Sequence, residues 1–245
     1  MSDPTHGDGA PTVVLVHGAF VDASSWNGVI AELKAAGIDV VAPPNLLRGI
    51  GVDAAYLTGF VDALGRPTLL VGHSYGGAVI SQTGSDAQGV IGLVFVAAFA
   101  PEADEPLAAI NARYPDIPLG AAQRTFTYIN ERGEQATEAF VDRGLFHDAV
   151  CADLPADVAD LLARTQRPAS LDAFTTVVTG TPAWKTLPSW AVVATADQAI
   201  HPDAERDMAK RARSEITEID GSHAVVASQP AAVADVIRRA IAKTA

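Results

Sequence analysis

The chain has 245 residues, 49% of them hydrophobic, and a formal charge of −12. That is enough apolar material for one large domain, or for a domain carrying an insertion. The acidic balance argues against nucleic acid and anionic membranes as partners, and the single cysteine, Cys151, excludes an internal disulfide framework or a cysteine-cluster zinc site.

Met1 to Pro11 is polar and lacks the basic, apolar and cleavage-site pattern of a leader. No apolar run further on reaches the ~18–20 residues of a bilayer span, so the expectation is a soluble, cytoplasmic protein. The first buried strand is predicted at Thr12–His17, and a helix at Ser25–Ala36, closed by Gly37. A short strand follows at Asp39–Ala42, then a helix at Val52–Leu64 closed by Gly65. Next come a strand at Thr68–Gly72, a helix at Tyr75–Thr83 and a strand at Val90–Ala97. The alternation then breaks. From about residue 100 to 187 no strong buried strand is visible, proline and charge rise, and seven of the fifteen aromatic residues are concentrated there. This stretch reads as an inserted, mainly helical cap. It includes a helix at Asp157–Arg164 and a small hairpin built from Thr125–Asn130 and Glu134–Thr137 around a turn at Glu131–Gly133. The alternation resumes with a strand at Trp190–Thr195, a helix at Pro202–Ala212, a strand at Ile216–Ile219 and a last helix at Ala231–Lys243. Pro202 and Pro230 stand where a first helical turn begins. Strands alternating with helices predict an α/β fold: a mostly parallel sheet of about six strands with helices on both faces. The core is residues 1–99 and 188–245, and the cap is residues 100–187.

Gly72-His73-Ser74-Tyr75-Gly76 has the GxSxG spacing, follows an apolar strand and opens a helix. In that context the serine sits on a tight strand–turn–helix elbow with its hydroxyl pushed out above the sheet. The glycines avoid a clash at the turn, and the helix start directs amide N–H groups at the reacting centre. A serine hydroxyl is a weak nucleophile and needs a base. His223, in a loop between the last short strand and the final helix, fits best, with His201 the runner-up. His6, His17, His73 and His147 are weaker candidates; His17 is expected to order the loop beside it. The acid that orients the imidazole is expected at Asp197, just past the strand ending at Thr195, with Asp203 and Asp220 as alternatives. An oxyanion needs fixed donors. The backbone N–H of Tyr75 and that of Ala19, or of Phe20 one position on, are the candidates. The side chains of Phe20 and Tyr75, with Phe126, Phe146 and Trp184, are candidate pocket walls. Cys151 is read as a structural thiol.

HGAF at residues 17–20, GHSYGGAVI at 72–80, ATADQAIHP at 194–202 and GSHAVV at 221–226, in that order, resemble the α/β-hydrolase superfamily. Within it the chain is similar to the branch of small carboxylesterases, methyl-ester hydrolases of the salicylate-binding type and hydroxynitrile lyases. The resemblance implies a cofactor-free serine hydrolase acting on an ester, thioester or lactone. The aromatic cap suggests a pocket for a small or medium apolar substrate; no metal is expected, and the expected state is a monomer or homodimer. Slow-turnover ligand reception, or lyase or perhydrolase chemistry on the same triad, is the alternative. Members with an aspartate nucleophile are set aside by Ser74. The lyases carry a threonine and a lysine where this chain has Gly18 and Ala224, which argues against cyanohydrin cleavage.

Overall fold

The computed structural model describes residues 9–244. In chain order its strands are β1 (Thr12–Val16), β2 (Asp39–Val41), β3 (Thr68–Ser74), β4 (Val90–Ala98), β5 (Gln123–Ile129), β6 (Gln135–Val141), β7 (Ala169–Ser170), β8 (Ser189–Ala194) and β9 (Glu215–Ile219). Six of them form one parallel sheet in the order β2-β1-β3-β4-β8-β9. This is the predicted α/β architecture.

Side-chain alternation divides the core. Val13, Leu15, Leu69 and Val71 point to one face, where they meet Trp26, Leu33, Val233 and Ile237. Val14, Val16 and Leu70 point to the other, against Leu57, Val79 and Ile80. Successive residues of a strand face opposite ways, so runs such as TVVLV are apolar throughout because both faces are covered by helices. Burying each large aliphatic side chain contributes roughly 1.5–3 kcal/mol.

The segment between β4 and β8 has more helix than strand, as expected, and carries a small sheet of its own. β5 and β6 form an antiparallel hairpin in register from Gln123↔Val141 to Ile129↔Gln135, and β7 pairs with β6. The predicted hairpin is therefore present but longer, with a third strand. Alternating Thr, Phe and Tyr in QRTFTYI favour extended backbone. The turn is closed by Asn130 Oδ1, which accepts from the Arg132 and Glu134 amides, with Gly133 at φ 76°. Around this sheet lie short helices and one longer one, Ala156–Thr165. The segment between β4 and β8 shares a core with the sheet. Leu107, Val141, Phe146 and Val150 belong to the same apolar cluster as Val16 and Tyr75 of the sheet layer.

Candidate active site

Ser74 is the last residue of β3 and the residue before the helix Tyr75–Asp86. Its backbone has φ 53° and ψ −123°, a conformation that costs a non-glycine residue about 1–3 kcal/mol. The surroundings hold it there. A Cβ on Gly76 would stand 2.4 Å from the Val16 carbonyl oxygen, so only glycine lets the helix start cross this close to β1. A Cβ on Gly18 would stand 2.6 Å from the Ser74 Cβ. The loop after β1 is thus pressed directly against the serine.

His17 pins that loop. Its Nδ1–H donates to the Gly18 carbonyl at 2.9 Å, and its Nε2 accepts from the Asn45 amide at 2.9 Å, which fixes the tautomer. The Asn45 side chain donates back to the His17 carbonyl at 2.9 Å. Burial lowers the pKa of His17 and favours its neutral form. The expected ordering role of His17 is therefore visible as a hydrogen-bond circuit; Asn45, its partner, carried no motif by which sequence could single it out. Ala19 and Phe20 follow, Phe20 at φ 64°, and both border the same cavity as Ser74.

His223 borders that cavity too. Its Nδ1–H donates to Asp197 Oδ2 at 2.5 Å. Asp197 is buried, and its other oxygen accepts from the Ala199 and Ile200 amides at 2.6 and 2.9 Å. Burial alone pushes a carboxyl up; here His223 and these two amides outweigh it and hold Asp197 below the usual carboxylate range. His73 does not turn toward the serine hydroxyl as a base. Its Nε2–H donates to the His223 carbonyl at 2.9 Å, and its ring lies 4.8 Å from the His223 ring. Burial, then the neighbouring His223, lowers the His73 pKa to about 3, so it stays neutral. Ser74 and His223 share the cavity wall without a hydrogen bond between them in this structure.

The loop carrying His223 is gripped from the inserted segment. Asp153 accepts from the Ser222 amide at 3.0 Å and from the Ser222 hydroxyl at 2.5 Å, and the Ala224 amide donates to the Val150 carbonyl at 2.9 Å. Asp153 was not legible in the sequence, because an aspartate in a polar stretch carries no signal of its distant partner.

The cavity has a volume of about 370 Å³. Its walls are mostly apolar, and the segment between β4 and β8 supplies Leu107, Leu119, Phe146, Leu162 and Phe174 among them. Of the expected aromatic walls, Phe20 and Phe146 line it. Phe126 does not; it is 42% exposed on the hairpin, packed with Tyr128 and Phe140. Trp184 does not either; its Nε1–H donates to the Pro101 carbonyl at 3.0 Å and its ring is flanked by Lys185 and Arg211. The Tyr75 ring is also turned away: it is fully buried, with its hydroxyl donating to Asp53 Oδ2 at 2.7 Å.

The remaining candidates lie elsewhere. His201 caps the helix Pro202–Arg211 by accepting from the Asp203 amide at 3.2 Å, and stacks on Tyr114. Asp203 is exposed and pairs with Arg206, and Asp220 approaches Thr195 at 3.5 Å. His147 Nε2–H donates to the Leu154 carbonyl. His6 lies outside the described residues. Cys151 is buried, and burial with nearby Asp153 pushes its thiol up to about 12. Among the described residues no three His, Cys, Asp or Glu side chains gather as metal ligands would, and no helix is long and apolar enough to cross a membrane.

A strained serine between a strand of a parallel sheet and the helix after it, with an aspartate-held histidine on the same cavity, is an arrangement found in α/β hydrolases. The chain belongs to the alpha/beta hydrolase family, whose sequence pattern it matches over residues 13–236. Its fold is similar to that of polyneuridine aldehyde esterase, with TM-score 0.80 and 18% identity, covering 94% of this chain and 98% of that one. It is also similar to the methylesterase MES16 from Arabidopsis, with TM-score 0.78 and 17% identity over 96% of this chain and 100% of that one. An extracellular α/β-hydrolase from a Paenibacillus species, described as a structural and functional homologue of tobacco salicylic acid binding protein 2, matches with TM-score 0.71 and 19% identity, covering 94% and 98%. At such identities the likeness is one of fold. No curated protein matches the sequence.

Proposed function

We propose that the chain is a serine hydrolase that cleaves small or medium apolar esters, thioesters or lactones through an acyl-enzyme on Ser74. One observation carries this reading: Ser74, in its left-handed elbow, borders the same apolar cavity as His223, whose far nitrogen is held by the buried Asp197 carboxylate. With Nδ1–H committed to Asp197, neutral His223 offers an unprotonated Nε2 to the serine. The hydrogen bond between them forms as substrate fills the cavity; before binding, such contacts are often long.

In the proposed reaction His223 takes the Ser74 proton as the oxygen attacks the carbonyl carbon. The Ala19 and Tyr75 amides bind the oxyanion; Tyr75 opens a helix, so its N–H has no acceptor within that helix. Each such donor is worth about 3 kcal/mol in the transition state. The leaving alcohol, thiol or ring oxygen takes the proton from His223, and water then attacks the acyl-enzyme by the same route. The apolar walls favour an apolar acyl or alcohol part, and the esterase and methylesterase folds named above support ester substrates. Gly18 and Ala224 give no support to the lyase alternative.

The test is a panel of esters, thioesters and lactones of graded size, run on the wild type and on Ser74→Ala. Turnover is expected to fall on the order of 10⁴-fold or more in the variant. Wild-type hydrolysis by Ser74→Ala would refute the assignment. A serine-directed phosphonate probe should label Ser74 stoichiometrically; tight ligand binding with no labelling and no turnover would favour a receptor instead.

A further inference from the structure

Directly behind Asp197 lies a second buried carboxyl that the proposed reaction leaves unused. Glu205, in the helix Pro202–Arg211, is 4% exposed. Its Oε2 accepts from the Ala194 amide at 3.1 Å, and its Oε1 is buried without a protein donor. Its other surroundings are apolar: Phe95, Ala98, Val192, Val193 and Met208. Ala194 joins it to Asp197: the Ala194 amide donates to Glu205 and its carbonyl accepts from the Asp197 amide at 3.2 Å, which brings the two carboxyls close enough to interact. A nearby cation, Arg206, turns outward to Glu218 and Asp203.

Two adjacent carboxylates in such a place cannot both ionise. Asp197 has three donors, from His223, Ala199 and Ile200, whereas Glu205 has one, from Ala194. The charge therefore settles on Asp197 and the proton on Glu205. We propose that Glu205 is a positioning residue for the proposed triad: it stands at neutral pH as a neutral carboxylic acid and donates its O–H to the Asp197 carboxylate. Burial, with the Asp197 charge second, holds the Glu205 carboxyl well above its ordinary range, in keeping with that state.

The consequence has a sign. A donor behind Asp197 draws charge away from the oxygen that faces His223, so the imidazolium gains less from the pair. An ionised Glu205 would do the reverse and add negative charge behind the histidine.

The inference rests on the triad reading, so the experiment uses Ser74→Ala protein and needs no turnover. The low-field Nδ1–H resonance of His223 is followed by proton NMR against pH, in that background and with Glu205→Gln or Glu205→Met added. The Gln amide can donate as the acid does, so its titration midpoint is expected to stay in place. Met removes the donor, and the midpoint is expected to rise by up to about one pH unit, a tenfold change in basicity. A fall in the midpoint with Gln would mean that Glu205 is ionised and would overturn the proposal, as would an unmoved midpoint in folded Glu205→Met. If the Met variant does not fold, infrared difference spectra decide. At neutral pH the C=O band of a protonated carboxylic acid is expected in the Ser74→Ala protein and lost with Glu205→Gln; absence of that band sinks the idea. Failure of ester hydrolysis would leave all these readouts intact, so the two readings fail separately.

Discussion

The sequence points to Tyr75 for its backbone amide, beside Ser74, and places its ring in the pocket. The structure separates these two parts of the residue. The ring is packed under the helix Ile50–Leu64, and its hydroxyl donates to Asp53, which also accepts from the Arg48 amide at 3.1 Å. Removing the hydroxyl leaves a buried carboxylate short of a donor, at a cost of about 1–3 kcal/mol. Tyr75→Phe is therefore expected to lower the free energy of unfolding by that amount in urea titrations while losing less than tenfold in turnover, because the amide is untouched. A large loss of turnover at unchanged stability would show that the hydroxyl acts in the chemistry. The GxSxG string makes the serine legible, since the glycines are required by geometry at fixed offsets. Where the neighbouring ring points is not legible, because a tyrosine in an apolar helix start suits a pocket and a core equally.

At the scale of elements, the six parallel strands could be read almost to the residue: β1, β3, β4 and β8 are buried and apolar on both faces, and the part-buried edge strands β2 and β9 are bounded by turn residues. The inserted segment could not. Its strands are half-exposed and its helices mostly a turn or so long, so neither periodicity persists far enough to be distinctive. Its polar attachments to the core are non-local, which sequence does not display. One is Glu105, which accepts from Arg113 at 2.6 Å and from Arg211 at 2.8 Å and so ties the start of the segment to the helix Pro202–Arg211. Burial pushes this carboxyl up, but Arg211, the Glu102 amide and Arg113 outweigh it and hold it at about 2, below the ordinary 4.5. A depressed folded value means stability that is present above pH 4.5 and is lost as pH falls toward 2. Thermal melts of Glu105→Gln are expected to lie below the wild type at neutral pH, with the gap closing across that window. A gap that stays constant down to the acid end would show that the pair contributes nothing through charge.

Over the whole molecule, the cluster that joins Val16 and Tyr75 to Val141 and Phe146 makes the inserted segment part of the core it covers. Calorimetry is accordingly expected to give one transition, with calorimetric and van't Hoff enthalpies equal. Two resolved transitions would mean that the segment melts alone. The contact of Asp153 with Ser222 belongs to the same picture. Anyone who transplants a foreign roof onto this scaffold to change what it accepts would be cutting one half of a matched joint. The graft would need to bring its own partner for Ser222, or the imidazole on the very next residue would lose its mooring.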